Sequence, residues 1–389
     1  MLKIGKATKE PQPTSDNILI NKQKRRLTMT TSKVTVNSKL SFENTEIFVG
    51  LDVHKKSWKV TIRFNDIEMK AFSMNPDPVA LKTHLDKNYP KGTYNTVYEA
   101  GFCGFWIHRK LTKLGINSIV VNPADIPQTN KDKQFKTDTR DSKTLAKTLE
   151  NKQLTPIHIP TVEEERFRSI YRLRNQFKKD MTRTKNRIKS HFALYGIEFG
   201  GWSVKNLTIL RKKSEEHDEG FLILELLDMH DLLKLKIKQQ SAKIKQQLKV
   251  LKKDKECDIL ESVPGVATLT SELLIAEVIS PTRFESDDQL SSYAGLVPST
   301  ASSGEKDISR GITSRRKGAL RHALVEAAWK ATNCDPELAL AFSKLCLRMT
   351  KNKAIIRIAK KLLIRIKRVW TKMEPYKKNV NMTTQTIIN

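Results

Sequence analysis

The sequence predicts an α/β domain with a mixed sheet, followed by a long helical region and a mainly helical C-terminal part. The first observation is a meander: EIFVGLDV (46–53) is typical of a buried strand, and SWKVTIRF (57–64) alternates as a half-exposed strand does. The second is the regular succession of helix and strand after it, which indicates parallel pairing. The third is residues 161–256, which carry almost no strand signal.

The remaining elements of the α/β domain follow from local patterns in chain order. Gly115 ends an amphipathic helix and Pro123 ends an apolar strand, as these residue types commonly do. The predicted order is three strands, helix, strand, helix, strand, helix. After the first two strands, the elements are a strand at 67–74, a helix from Asn75-Pro76 to about Lys87, a strand at 96–100, a helix at 105–115, a strand at 116–122 and a helix from KTDTRDSKTLAK (136–147) to about Lys152.

The helical region carries an imperfect heptad pattern. Ile237, Ile244 and Leu251 are spaced by sevens, and so are Leu226 and Leu233, although glutamines interrupt the second seam. The pattern predicts an antiparallel helical hairpin or a short coiled coil.

The C-terminal part contains a turn that could bind phosphate. VPGVATLT (263–270) joins two apolar segments as a helix-hairpin-helix turn does, and an ordinary helix–Gly–helix connection is the alternative. Gly265 permits the turn, and the next helix presents backbone N–H groups. Farther on, a basic helix at about 353–371 has apolar residues at helical spacing, which favours packing on the preceding block over membrane binding.

Residues 296–318 predict a loop, because Pro, Gly and Ser cluster there. Ser302 and Ser303 precede Gly304, and a serine beside arginines could attack a phosphodiester whose transition state the arginines stabilise. The loop contains no histidine that could act as a base, so a linker serine is the alternative. The candidate nucleic-acid contacts in this segment and just after it are Arg310, Arg315, Arg316, Lys317 and Arg321.

The chain is basic along its whole length. Its 71 lysines and arginines outnumber 42 aspartates and glutamates, which gives a net charge of +29. Such a surface indicates a polyanionic partner, first of all nucleic acid, with an anionic membrane as the alternative. No apolar run approaches the roughly 20 residues that span a bilayer, and the start lacks a signal-peptide core. We therefore expect a soluble cytoplasmic protein, associated with a prokaryotic nucleoid and without a membrane partner.

Four carboxylates fall at matching places of the predicted fold. Asp52 ends the first strand and Glu99 ends the fourth, so they lie side by side if those strands are neighbours. Asp138 and Asp141 are three residues apart on the last helix and share one face of it. Taken singly, they are also explained as a strand-end acid, a helix cap and two acids in a first helical turn, where the helix dipole favours negative charge. Together they predict an acidic cluster.

Four carboxylates packed together repel one another unless a cation compensates. The cysteines form no CxxC pair and the histidines have no metal-ligand spacing, so we expect oxygen ligands for any metal. Mg²⁺ suits such ligands, and two ions could clamp the attacking and leaving oxygens of a phosphodiester. The neighbouring lysines would then face the nucleic-acid backbone.

Seven segments stand out in chain order: GLDVHKKSWKV, VYEAGF, VVNPADIP, KTDTRDSKTLA, LESVPGVATLTSELLIAE, RFESDDQLSSYAGLVPSTASSG and ITSRRKGALRHALVEAA. Together they resemble the transposases of insertion-sequence family one hundred and ten, relatives of the Piv site-specific invertases. The resemblance spans about residues 46–370. The chain departs from the family in a longer arm at 1–44 and in Gly101-Phe102-Cys103, where small residues and threonine are commoner.

The resemblance implies an RNase H/RuvC-like α/β domain whose DEDD carboxylate set corresponds to Asp52, Glu99, Asp138 and Asp141. It also implies a helical coiled-coil insert and a mainly α transposase domain, within which the helix-hairpin-helix-like turn predicted at 263–270 would lie. The expected boundaries are a basic disordered arm at 1–45, the RuvC-like domain at 46–155, the helical region at 156–256, the serine transposase domain at 257–345 and a basic C-terminal helix and tail at 346–389.

The family's nucleophilic serine directly precedes a glycine after GLxP, which matches Ser303, with Ser302 as the alternative. The resemblance implies that donor and target DNA are cut and rejoined through a covalent serine–DNA intermediate. It further implies that Mg²⁺ at the acids assists the serine in a site shared between subunits of a dimer or tetramer, and that an element-encoded bridge RNA guides the reaction.

Two other hypotheses stay open at this point. A metal-dependent RuvC-class nuclease, such as a junction resolvase, would need the four acids but not Ser303. A basic nucleic-acid-binding protein without chemistry would need neither, and an acidic cluster that repels phosphate argues against it.

Overall fold

The computed structural model describes residues 41–127, 138–216, 220–303, 306–312 and 317–377, with the backbone alone for 138–139, 299–303 and 306–312. The basic arm predicted at 1–45 falls almost wholly outside these residues, as does the tail after 377. The chain divides into two compact units, one up to residue 157 and one from residue 158.

The first unit is built on a mixed five-stranded sheet, as the sequence predicts. Strands β1, β2 and β3 form an antiparallel meander, and β4 and β5 continue the sheet from β1 as parallel strands, in the order β3-β2-β1-β4-β5. The strands are β1 (Glu46–Val53), β2 (Trp58–Phe64), β3 (Ile67–Met74), β4 (Thr93–Glu99) and β5 (Asn117–Val121). The helices are α1 (Pro78–Asn88), α2 (Trp106–Lys113) and α3 (Asp138–Glu150), with a 3-10 turn at Pro123–Asp125.

Helix α3 lies directly on β1, because Gly50 has no side chain to hold it away. A Cβ atom added at Gly50 would overlap the carbonyl oxygen of Ser142 and lie 2.5 Å from the backbone nitrogen of Ala146. The buried hydroxyls of Thr61 and Ser142 are 2.9 Å apart, within hydrogen-bond distance. The strand glycine therefore sets how closely this helix approaches the sheet.

The second unit begins with three helices, α4 (Val162–Leu194), α5 (Val204–Glu215) and α6 (Gly220–Val250). Phe167, near the start of α4, shares a hydrophobic core with Leu248, near the end of α6. Phe192, near the end of α4, shares another with Ile223, near the start of α6. The two long helices therefore run antiparallel, and the heptad-bearing segment is helical as expected.

The rest of the second unit is mainly helical and packs around one core. Its elements are α7 (Asp254–Glu261), α8 (Thr268–Val278), a 3-10 turn at Pro281–Arg283, α9 (Asp287–Ala294), β6 (Pro298–Ser303), β7 (Lys306–Ile312), α10 (Gly318–Cys334), α11 (Pro336–Cys346) and α12 (Lys351–Lys372). Ile355, Ile358 and Leu362 of α12 are buried in this core, which confirms that the basic helix packs on the preceding block. In the described part of the chain, no helix combines the length and apolar content needed to cross a bilayer.

The prediction of a loop at 296–318 is wrong for most of that segment. Strands β6 and β7 pair there as an antiparallel hairpin, with Thr300 opposite Ser309 and Ser303 opposite Lys306. Serine, threonine and charged residues predominate in these strands and give no regular apolar alternation, so the sequence pattern indicates a loop. Backbone pairing can form a hairpin without that alternation, since every residue carries one donor and one acceptor.

A buried carboxylate holds the C-terminal end of the second unit in place through hydrogen bonds. Asp335 accepts hydrogen bonds from the Tyr376 hydroxyl and, at 3.1 Å, from Nη1 of Arg365. Burial raises the pKa of Asp335, but Tyr376, backbone N–H groups and Arg365 together outweigh burial, so its pKa lies below the ordinary value of 3.8. A carboxylate with a depressed pKa stabilises the fold above its ordinary pKa and loses that contribution as the pH falls through its folded pKa.

Replacing Tyr376 by phenylalanine is expected to lower the free energy of unfolding by about 1–3 kcal/mol near neutral pH, because the buried carboxylate loses a donor. Urea denaturation of wild type and variant measures the difference. We expect it to persist from neutral pH down to the ordinary pKa of 3.8 and to shrink below it. A difference in the free energy of unfolding that did not change with pH would contradict this account of Asp335.

Candidate active site

Asp52 and Glu99 sit at the same edge of the sheet. The parallel register of β1 and β4 pairs Gly50 with Val97 and Leu51 with Tyr98, so the next step places Asp52 beside Glu99. Side chains two residues apart on a strand share a face. Asp52 therefore shares the face of Gly50, and Glu99 the face of Val97, which is the face that α3 covers.

Helix α3 runs antiparallel to β1 and presents its first turns to that edge. Ser142 contacts Thr61, the partner of Gly50, at 2.9 Å. Glu150, at the far end of α3, accepts a hydrogen bond from Nε of Arg63 at 2.6 Å, and Arg63 pairs with Phe48 farther back on β1. The opposite end of the helix, with Asp141, therefore lies toward the end of β1.

Asp138 is the first residue of α3, but its side chain lies outside the described residues. Positions 138, 141 and 145 share a helix face, and Leu145 packs against Val97 in the sheet. The backbone thus places Asp141 on the face turned to the sheet. The structure brings Asp52, Glu99 and Asp141 to one region of the first unit.

His54 is a residue at this edge that the sequence analysis missed. Its Nε2 lies 3.1 Å from Oδ2 of Asp52, with 19% of the aspartate side chain and 46% of the histidine side chain exposed. A histidine two residues after a strand-end aspartate, in GLDVHKK, is the signal that could have found it. When protonated, His54 would offset part of the negative charge of Asp52.

The donor chemistry of this region fits a divalent cation. Within the residues whose side chains are described, no three His, Cys, Asp or Glu groups are close enough to hold a metal ion. Asp52, Glu99 and Asp141 all offer carboxylate oxygens, the ligands of hard cations such as Mg²⁺, which keep several waters and need few protein ligands. The carboxylates at this edge therefore offer the type of ligand that a divalent metal prefers.

The candidate serines lie in the second unit, at the end of β6. Register pairs place Ser302 opposite Asp307 and Ser303 opposite Lys306, and Arg310 lies on the neighbouring strand β7. The side chains of these residues are not described, and Arg315 and Arg316 lie outside the described residues. Lys317 immediately precedes α10, whose first turns include the half-buried Arg321.

The backbone conformation and the packing around position 265 both favour a glycine there. Its φ is +84°, a conformation that favours glycine. A Cβ atom at this position would overlap the carbonyl oxygen of Ala327 on α10 and lie 3.0 Å from its carbonyl carbon. The turn between α7 and α8 is therefore packed closely against α10.

Comparison with known families gives two matches in chain order. Residues 49–197 match the model of the DEDD transposases of IS110, described as a transposase. Residues 257–343 match the model described as the transposase IS116/IS110/IS902 family. Together they cover more than half of the chain, and a DEDD transposase domain implies dependence on a divalent metal ion.

Individual relatives agree with the family models. The Sinorhizobium fredii protein y4rJ is 26% identical over 82% of this chain and 90% of its own length. The transposase for insertion sequence element IS1111A of Coxiella burnetii is 26% identical over 71% of this chain and 77% of its own. The transposase for IS1533 of Leptospira borgpetersenii is 32% identical over 37% and 42%. The chain belongs to the IS110 family of insertion-sequence transposases, enzymes that transfer DNA.

Proposed function

We propose that this transposase cuts and rejoins DNA through a covalent serine–DNA intermediate, with Ser303 as the nucleophile and Ser302 as the alternative. Asp52, Glu99, Asp138 and Asp141 form a carboxylate site that assists the serine. Donor and target DNA are the substrates. The family membership supports the reaction class, and the placement of the residues supports their roles.

The observation that carries the proposal is the course of α3 across β1. Because Gly50 admits the helix at backbone contact, the first turns of α3 reach the sheet edge where two strand-end acids stand side by side. Three elements far apart in sequence thereby contribute acids to one edge. A stability role alone does not explain this, since gathered like charges repel.

The same four acids would hold the divalent metal, which we propose to be Mg²⁺. A bound divalent ion supplies Lewis-acid stabilisation of charge on phosphate oxygens. His54, hydrogen-bonded to Asp52, orients that carboxylate at the edge.

The chemical step moves one phosphoryl linkage. The serine oxygen loses its proton and forms a bond to phosphorus, and the bond from phosphorus to one sugar oxygen breaks, with that oxygen gaining a proton. Rejoining reverses these changes with a different sugar oxygen as the attacking group. The nucleophile then leaves unchanged, so the energy of the phosphodiester is conserved through the intermediate.

We extend the proposal to assembly and guidance. An RNA encoded by the element pairs with both DNAs, and a dimer or tetramer completes a composite site. The antiparallel α4–α6 pair acts as a coiled coil, and the α7–α8 turn at Gly265 acts as a helix-hairpin-helix that contacts the backbone. The domain boundaries are 46–155, 156–256, 257–345 and 346–389, and Arg310, Arg315, Arg316, Lys317 and Arg321 contact nucleic acid.

The experiment that tests the serine is capture of the covalent adduct. Full-length protein is incubated with Mg²⁺, labelled DNA spanning an element end, and RNA transcribed from the flanking non-coding region, then denatured and digested for mass spectrometry. Wild type should yield a DNA-linked peptide containing Ser303. Ser303→Ala should lower adduct formation by a factor on the order of 10⁴ or more, because the nucleophile is lost.

Ser309→Ala is the matched control, because Ser309 lies on β7 of the same hairpin, opposite Thr300. It should form adduct at the wild-type rate. An adduct that persists in a Ser302→Ala, Ser303→Ala double variant would overturn the serine assignment. Metal-dependent cleavage by that double variant would instead favour a RuvC-class nuclease, and adduct formation without RNA would contradict RNA guidance.

A further inference from the structure

The C-terminal end of α8 is surrounded by positive charge from three elements. Arg168 and Arg172 reach it from α4, Arg283 from the 3-10 turn that follows α8, and Lys317 from the residue before α10. Glu277, in the last turn of α8, is the acidic group at the centre. We call these five residues the α8 cation cluster.

Glu277 already forms an ion pair with one of the cations. Arg172 donates to both of its carboxylate oxygens, from Nε at 2.7 Å and from Nη2 at 2.8 Å, and only 6% of the glutamate side chain is exposed. Burial raises the pKa of Glu277, but Arg172 more than compensates and leaves the pKa below its ordinary value. One guanidinium therefore balances the one carboxylate.

Backbone carbonyls at the C-terminal end of α8 balance a second part of the positive charge. Nε of Arg168 donates to the carbonyl of Ala276 at 2.8 Å, and Nε of Arg283 donates to that of Val278 at 2.7 Å. These hydrogen bonds cap the C-terminal end of α8. The dipole of the helix places roughly half a negative charge at that end, which offsets part of the positive charge of the cations. Arg283 also donates from Nη2 to the carbonyl of Glu277 at 3.4 Å, whereas the outer nitrogens of Arg168 have no hydrogen bond in the described part of the chain.

Lys317 has no direct partner for its charge among the described residues. Its Nζ lies 5.8 Å from the centre of the Tyr293 ring, and the Arg283 guanidinium lies 4.6 Å from the same ring. Among the described residues, the Lys317 ammonium has no hydrogen bond and no ion pair. Burial lowers the pKa of Lys317, and Arg172, Arg168 and Arg283 lower it further against the pull of Glu277.

A charge count favours an anion at this place. Four cations face one carboxylate and about half a charge from the helix end, which leaves roughly two and a half positive charges uncompensated by the residues that the structure describes. Partly buried cations without a partner are costly, so a protein that keeps them usually pairs them with a ligand. Arginine and lysine together suit a phosphate, which accepts several charge-assisted hydrogen bonds.

The cluster lies at the root of the hairpin that carries the candidate serines. Pro298 and Ile312 pair at that root, Tyr293 precedes the first strand in α9, and Lys317 follows the second. Ser303 ends β6 at the other end of the hairpin, about five strand residues away, or roughly 17 Å at the usual rise. A phosphate at the cluster is therefore a different one from the phosphate that the serine would attack.

We propose that Lys317, Arg283 and Arg168 bind one backbone phosphate of the DNA, a few nucleotides from the reacting phosphate, and so position the strand along the β6–β7 hairpin. The choice of DNA as the ligand rests on the proposed function. Glu277 holds Arg172 in the cluster through two hydrogen bonds. The residues are positioning groups, since none of them lies near the serine.

The test compares Lys317→Met with wild type in binding to a fluorescein-labelled DNA duplex of mixed sequence, by fluorescence anisotropy over a salt series. A phosphate contact is independent of sequence, so a mixed duplex reports it. We expect the affinity to fall roughly tenfold and the salt dependence to weaken by about one unit of slope. The melting temperature should be unchanged or higher, since Lys317→Met removes a repelled cation.

Lys317→Arg should keep most of the affinity, because it keeps the charge. Lys82→Met is the matched control: it removes the same charge from α1, where the lysine is paired with Asp86, and should bind as wild type does. Unchanged DNA affinity in Lys317→Met would overturn the inference at any melting temperature, and a lower melting temperature would then show a structural role only. Loss of affinity for an RNA duplex alone would also overturn it.

The outcome is separable from that of the serine experiment. Binding to duplex DNA needs no chemistry, so a loss of affinity in Lys317→Met would stand even if no serine adduct formed. Conversely, an adduct at Ser303 with normal binding by Lys317→Met would keep the proposed serine chemistry and remove both this site and the proposed contact of Lys317 with nucleic acid.

Discussion

Asp52→Asn is expected to lower the rate of DNA strand transfer by a factor on the order of 10³ or more, with the protein still folded. Asparagine has nearly the same shape as aspartate and still accepts a hydrogen bond from His54, which now lies 3.1 Å from the carboxylate. What it loses is the negative charge that a divalent metal needs. Glu99→Gln and Asp141→Asn should have effects of similar size, because each removes the charge of one proposed ligand.

The rate is measured with RNA, DNA and Mg²⁺ present, and the fold is checked by circular dichroism and thermal melting. Asp77→Asn is the matched control: Asp77 caps α1 by accepting from the Val79 backbone at 2.8 Å, and asparagine caps equally well. It should transfer strands at the wild-type rate. If Asp52→Asn did so as well, the carboxylate site would be wrong, whatever its place in the sheet.

The α/β half of this fold could be predicted because its signals are local. Apolar runs mark β1 and β5, and alternation marks β2, since one face of each strand is buried. Even the largely exposed β3 could be found, as a short run bounded by turn residues. Whether Asp52 and Glu99 meet could be stated only conditionally, because the pairing of β1 with β4 brings together residues that local patterns do not connect.

The remaining features depend on contacts between distant parts of the chain. Arg168 meets the carbonyl of Ala276, 108 residues farther on, and no periodicity marks such a pair. The β6–β7 hairpin has polar residues on both faces, so composition indicates a loop although the backbone pairs. The charge of the α8 cation cluster is hidden in sequence for another reason: in a chain with a net charge of +29, arginines and lysines are everywhere.

Gly50→Ala is expected to cost about 3 kcal/mol or more in the free energy of unfolding, because the new methyl group would enter the backbone of α3. A flexible side chain could move aside, but the carbonyl of Ser142 and the nitrogen of Ala146 are held in the helix. The helix must therefore shift as a body. The buried contact between Thr61 and Ser142 would break with it, and Asp141 would move away from the strand ends.

Chemical denaturation measures the stability loss, and strand transfer under conditions where the variant is folded measures the displacement of Asp141. Gly101→Ala is the matched control, because a Cβ atom there meets nothing closer than the Glu99 carbonyl at 3.9 Å. Gly50→Ala should lose more activity than its unfolded fraction accounts for, since the folded protein carries a displaced acid. Activity that followed the folded fraction alone would mean that α3 stabilises the sheet without placing Asp141 for chemistry.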